Sequence, residues 1–179
     1  MRTFIQICTI LLFGLLMTAC SEDSTSSNGD GSGLLGNSQP GSMSASINGS
    51  GWTSASAAAD TGRVGNTNVA VVIAGVSINL QGITLSVASA GGISEGSYSF
   101  PPVGSTIVSL GLSDGNNPTG GAILDLNRST ATINISSLDF TNNTVSGTFS
   151  CDLYNIQDST LVEVRNGSFN QEGLLTTSP

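Results

Sequence analysis

The chain has 179 residues and a formal net charge of −8, with four Lys and Arg, twelve Asp and Glu, and no His. Charged residues make up 9% of it, against about a quarter of an ordinary soluble protein, and all four cations are arginines: Arg2, Arg63, Arg128 and Arg165. Nucleic-acid binding is excluded, because it needs a basic surface to displace phosphate counterions. So is nucleophilic catalysis by a Ser or Cys that depends on His or Lys as its base.

The amino-terminal stretch reads as a targeting signal. Arg2 is a minimal positive region, and Phe4 to Leu16 is apolar but shorter than the about 20 residues that a spanning helix needs. The run closes on "MTAC". Cleavage after Ala19 by an ordinary signal peptidase would place bulky Met17 at −3, a poor fit. With Cys20 at +1, small Ala19 and Thr18 before it and Met17 in the place of the usual Leu, the stretch resembles a lipobox, in which the thiol takes the lipid. Residues 1–19 are then a lipoprotein signal peptide and Cys20 is the lipidation site. Each buried methylene contributes about 0.8 kcal/mol and more than one chain is needed for stable attachment, a condition that a triacylated cysteine meets.

Residues 20–41 follow as a tether of Ser, Gly, Asn and Asp. A flexible segment of that length reaches roughly 25 Å. Ser21 at +2 favours outer-membrane delivery, and Glu22-Asp23 resembles the short acidic export signals of surface lipoproteins. Of the three cysteines, Cys8 leaves with the signal and Cys20 takes lipid, so Cys151 stands alone and no disulfide is expected in the mature domain.

Residues 42–173 carry period-two alternation broken by turn residues at short intervals. "SMSASI" places Met43, Ala45 and Ile47 on one face, and Asn48-Gly49 suits a tight turn into "WTSASAAA". "NVAVVIAGVSI" is nearly continuous and apolar, as in a central strand. "GITLSVAS" alternates Ile83, Leu85 and Val87, and "GSYSF" ends at Pro101-Pro102. "TIVSLGL", the loop "SDGNNPTGG" and "AILDL" come next. "STATINISSLDF" alternates Ile133 and Ile135. "TVSGTFSCDL" puts Val145, Phe149, Cys151 and Leu153 on one face, and "TLVEVRNGSFN" sets Leu161, Glu163 and Arg165 against Val162 and Val164. Residues 174–179 are left as a tail.

About ten short strands and no helix predict an all-β domain, an antiparallel β-sandwich or a barrel-like variant. A membrane barrel fits less well, because the strands are short for spanning and lack aromatic girdles. "SASINGSGWTSASA", "GSYSF", "ATINISSLDFTNNTVSGTFSCDL" and "VRNGSFN" together resemble a family of small uncharacterised lipoproteins of Bacteroidetes-type bacteria. Its members begin on an Ile-Asn/Asp-Gly turn followed by Trp and close on a V-S-G-T-F hairpin and a G-x-F strand. The resemblance covers residues 42 to 171 and implies a lipid-anchored all-β domain. It carries no activity or site residues with it.

The candidate binding residues are few. Trp52, the sole Trp, either fills core volume or, if exposed, stacks on a sugar face; Tyr98 and Tyr154 are open to the same two readings. Asp114 and Asn116, with Asn117, offer oxygen ligands on a Gly-rich loop, which suits either Ca²⁺ or plain turn chemistry. The closing Glu of an EF-hand is missing. Asp125, Asp139, Asp152 and Glu163 fall on different strands, so spacing along the chain does not pair them for glycoside hydrolysis. Cys151 reads as an inward-facing core thiol without a basic partner.

The expectation is therefore a lipid-anchored outer-membrane lipoprotein, on the surface or the periplasmic side. Its non-enzymatic β domain has a structural or interaction role and needs no cofactor. The membrane is its partner through Cys20, and an envelope protein or a glycan is a further one. A glycan-binding surface module is the alternative.

Overall fold

The computed structural model describes residues 41–115, 121–155, 157–172 and 175–176. These form twelve strands and no helix: β1 (Ser42–Ile47), β2 (Ser50–Thr53), β3 (Ser56–Val64), β4 (Thr67–Val76), β5 (Gln81–Ser89), β6 (Gly96–Phe100), β7 (Thr106–Asp114), β8 (Ala122–Ile123), β9 (Thr130–Asp139), β10 (Thr144–Asn155), β11 (Leu161–Glu172) and β12 (Leu175–Thr176). All belong to one hydrogen-bonded sheet in the order β12-β3-β4-β5-β7-β8-β10-β11-β1-β2, with β9 paired to β10 and β6 to β9. Every pairing is antiparallel except that of β12 with β3. The sheet curls into a half-barrel, the barrel-like form of the expected all-β class.

β8 makes the corner. It pairs with β7 at Gly111 and Leu112 and with β10 at Tyr154 and Asn155. Below it, β10 turns from β8 to β9, which runs beside it from Asp152 to Thr144. The sheet therefore divides into two halves, β3-β4-β5-β7 and β6-β9-β10-β11-β1-β2, whose inner faces close on one core.

The alternation in the sequence supplies that core. Ile83, Leu85 and Val87 from one half and Ile133, Ile135, Val145, Phe149, Cys151 and Leu153 from the other are all buried. Met43, Trp52, Val71, Ile73, Val164 and Phe169 belong to the same apolar cluster. Phe149 and Phe169 stack with ring centroids 6.5 Å apart. Each large buried side chain contributes about 1.5–3 kcal/mol relative to exposure.

Three elements differ from the sequence reading. "WTSASAAA" is not one strand but two, because the chain crosses between the halves at Ser54-Ala55. Ser54 N–H donates to Met43 O of β1 at 2.9 Å, while Ala55 N–H donates to Val76 O of β4 at 2.8 Å. "AILDL" shrinks to Ala122–Ile123, since Asp125 opens a turn in which Ser129 N–H donates to Asp125 O at 2.9 Å. Finally, Leu175–Thr176 pair with Asp60 and Thr61 in the stretch read as a tail.

Candidate functional site

Trp52 occupies the crossover. Its residue is 5% exposed and its Nε1–H donates to Gln81 O at 3.3 Å. The indole lies against Gly75 on β4, where the absence of a side chain leaves room for it. An indole so placed offers solvent no open face for a sugar, so the platform imagined for it has no geometric basis.

Tyr98 and Tyr154 are half-buried and stand in different surroundings. The Tyr98 hydroxyl donates to Ser94 O at 2.6 Å and accepts from Ser94 N–H at 3.1 Å, pinning the segment before β6. Tyr154 lies under the Arg128 guanidinium, whose Cζ is 4.3 Å from the ring centroid, a cation–π stack. The three aromatics sit on β2, β6 and β10 with separate partners.

Asp114 ends β7 and pairs across the ladder with Gln81. Asn116 and Asn117 lie outside the described residues, as do Cys20 and the tether up to residue 40. Among the described residues, no three His, Cys, Asp or Glu side chains gather as metal ligands.

The carboxylates named as candidates work on their own turns and strands. Asp139 Oδ1 accepts the Asn142 and Thr141 N–H groups at 3.0 and 2.8 Å, and Asn142 Nδ2 donates to its Oδ2 at 2.6 Å. The Asn142 bonds and then the Thr141 bond hold the Asp139 carboxyl below its ordinary range. Asp158 is lowered in the same way by the Thr160 hydroxyl and N–H. Asp125 Oδ1 accepts from Asn127 N–H. Asp152 pairs with Arg165 at 2.5 Å, and Glu163 lies 3.8 Å from the same guanidinium. Arg165 also donates to Cys151 O at 2.7 Å. The Asp152 hydrogen bond, its largest influence, raises its pKa. The Cys151 thiol is buried and pushed up to about 12, by desolvation first and the Asp152 charge second. At neutral pH it is a thiol, not a thiolate.

What the sequence did not single out is the outer face of β6-β9-β10-β11-β1-β2. Cross-strand partners share a face, and the register aligns Ser97, Asn134, Thr148, Ser168, Ser44 and Thr53 in one row across six strands. The row is uncharged, and Ser44 and Ser168 hydrogen-bond through their hydroxyls at 2.9 Å. β11 carries an extra residue relative to both neighbours, at Asn166, whose φ of 53° is the left-handed turn of a bulge. Beside that bulge lies a shallow groove of about 360 Å³, lined by Thr132, Asn134, Thr148, Ser150, Asn166 and Ser168 with Phe149 and Gly167. Its chemistry is that of neutral hydroxyl and amide groups. Serines and threonines alternating along a strand announce a solvated face, but only the register brings them into one row.

No curated protein and no solved structure matches the chain. A family model does, over residues 39–171, nearly the whole of the curled sheet. The chain belongs to the family described as a domain of unknown function, DUF6252.

Proposed function

We propose that the protein is a lipid-anchored lipoprotein of the outer membrane, tethered through Cys20, whose β domain is a non-enzymatic structural or interaction module. The observation that carries the anchor is the "LLMTAC" sequence, a short apolar run closing on small residues and a cysteine. The non-enzymatic reading is supported by how the acidic groups are used. Asp125, Asp139 and Asp158 cap turns, and Asp152 is tied to Arg165. The test is metabolic labelling with a fatty acid and membrane fractionation of the wild type and Cys20→Ser. Label and membrane retention should both be lost in the variant. A variant that stays labelled and membrane-bound sinks the reading.

The glycan-binding alternative moves to the groove beside Asn166, whose neutral hydroxyls and amides suit the hydroxyl groups of an uncharged polysaccharide. A ligand at 100 times its Kd stabilises the folded state by about 2.7 kcal/mol, which shifts Tm by several degrees. A shift with a neutral polysaccharide that Thr148→Arg abolishes would favour it. A flat response across neutral glycans removes it.

A further inference from the structure

Three exposed apolar side chains gather at one turn. Val76, at the end of β4, and Ile78 and Leu80, in the turn to β5, are 37%, 84% and 55% exposed. Leu80 also has a φ of 61°, a left-handed conformation that crowds a Cβ and is ordinarily left to Gly or Asn. The other non-glycine residues with positive φ among the described residues are Asn48, Asn143, Ser159 and Asn166. Only at Leu80 does such a position fall to a large apolar residue, and its side chain does not fill the core. Strain kept at the surface by an apolar side chain points to a use outside the domain.

The turn is held firmly in this shape. Leu80 N–H donates to Ser77 O at 3.0 Å, Ser77 N–H to Gln81 O at 2.9 Å and Gln81 N–H to Ser77 Oγ at 3.3 Å. From the side, Gly115 N–H donates to Leu80 O at 2.9 Å. A Cβ at Gly115 would lie 2.7 Å from Leu80 Cβ, so the brace fits because residue 115 is glycine. Beneath it, Gln81 O accepts the Trp52 Nε1–H. The tip is uncharged as well as apolar, since no Asp, Glu, Lys or Arg occurs from Val64 to Ser94. The first ionisable group across the ladder is Asp114, opposite Gln81 at the base of the turn.

We infer that the tip formed by Val76, Ile78 and Leu80 dips into the surface of the lipid bilayer that anchors the chain. The inference rests on the proposed acylation of Cys20, which keeps a bilayer within reach of the domain. Cys20 and Gly41 are 21 residues apart, a span of at most about 70 Å when extended. The tip lies close to where that segment enters the domain. Met43, two residues after Gly41, packs its Sδ on Gly75, three residues before Ile78, and these steps add up to no more than about 25 Å. An uncharged apolar point suits the boundary between headgroups and acyl chains, where apolar side chains are stabilised and charges are not. Asp114 at the base confines the contact to the turn itself.

The test places a polarity-sensitive fluorophore on the mature chain, residues 20–179. Ile78→Cys is labelled with NBD. Val103→Cys is the control, since Val103 is 78% exposed in the loop that enters β7 at Thr106, the opposite end of that strand from Asp114. Cys151 is buried, so its failure to label verifies that each variant is folded. The chain is held on vesicles of phosphatidylethanolamine and phosphatidylglycerol in two ways: by its own Cys20 or, as Cys20→Ser, by an amino-terminal histidine tag on a nickel-chelating lipid. Flotation of the first form reports on acylation alone, and emission from the second decides the tip. The label at Ile78→Cys should brighten about threefold or more and be quenched by doxyl lipids, while that at Val103→Cys keeps its solution emission. Adding Leu80→Asn, which suits the left-handed position, should cut the quenching about twofold or more without lowering Tm. Equal emission at the two sites overturns the contact even where the acylated chain floats. A Leu80→Asn chain that is quenched as before, or that melts lower, overturns it as well.

Discussion

Gly75 on β4 lies directly beneath the Trp52 indole. A Cβ built on it would sit 3.1 Å from the indole and 2.8 Å from Met43 Sδ. One glycine thus lets the two halves of the sheet close at the crossover, and it explains why the only Trp is inside.

Gly75→Val should therefore destabilise the domain by about 1–3 kcal/mol through overpacking, and Trp52→Ala by about 3–5 kcal/mol through the cavity it leaves. Urea denaturation followed by circular dichroism measures both. In the wild type, Trp52 emission should be blue-shifted and resistant to acrylamide. Red-shifted, readily quenched emission would contradict the packing.

Thr61 offers a gain rather than a loss. Its residue is 1% exposed and its Oγ1 has no hydrogen-bond partner among the described residues, although its N–H is held by Asp60 Oδ1. Thr61→Val keeps the shape and removes the unsatisfied hydroxyl. The variant should gain about 1 kcal/mol and about 3–5 °C in Tm. A lower Tm by calorimetry would show that the hydroxyl is satisfied after all.

Cys151 is a built-in probe of opening. With its thiol buried and pushed up to about 12, it should resist iodoacetamide at pH 8 and react only as the sheet opens. Labelling by mass spectrometry should be complete in urea and minimal without it. Labelling of the native protein at the rate of a free thiol would refute the burial.

Acid should weaken the turns at Asp139 and Asp158. The Asp139 and Asp158 carboxyls are both lowered from 3.8 in the folded chain, so below that value the unfolded form binds more protons than the folded one. Their stabilising contribution is complete above the unfolded pKa and disappears as pH falls through the lower folded values. Carbon-detected NMR titration of the two side chains should give midpoints below 3.8. A midpoint at or above it would mean that the turn hydrogen bonds are not formed.

Much of this architecture is written locally. Alternation alone put Ile83, Leu85, Val87, Ile133, Ile135 and Phe149 on inner faces, because a pleated strand turns every second side chain the same way. Asn48-Gly49 marks its turn for an equally local reason: both residues adopt positive φ, 48° and 81°. What local pattern cannot express is which strand lies beside which. "WTSASAAA" reads as a single run because nothing in it shows that Ser54 bonds to β1 and Ala55 to β4. For the same reason Trp52 could be read as core or as platform until the facing half of the sheet was in place. The row from Ser97 to Thr53, the bulge at Asn166 and the Arg128–Tyr154 stack depend on register between strands distant in sequence. Register is a property of the closed sheet, fixed by packing the two halves on one core, and only the tertiary structure decided it.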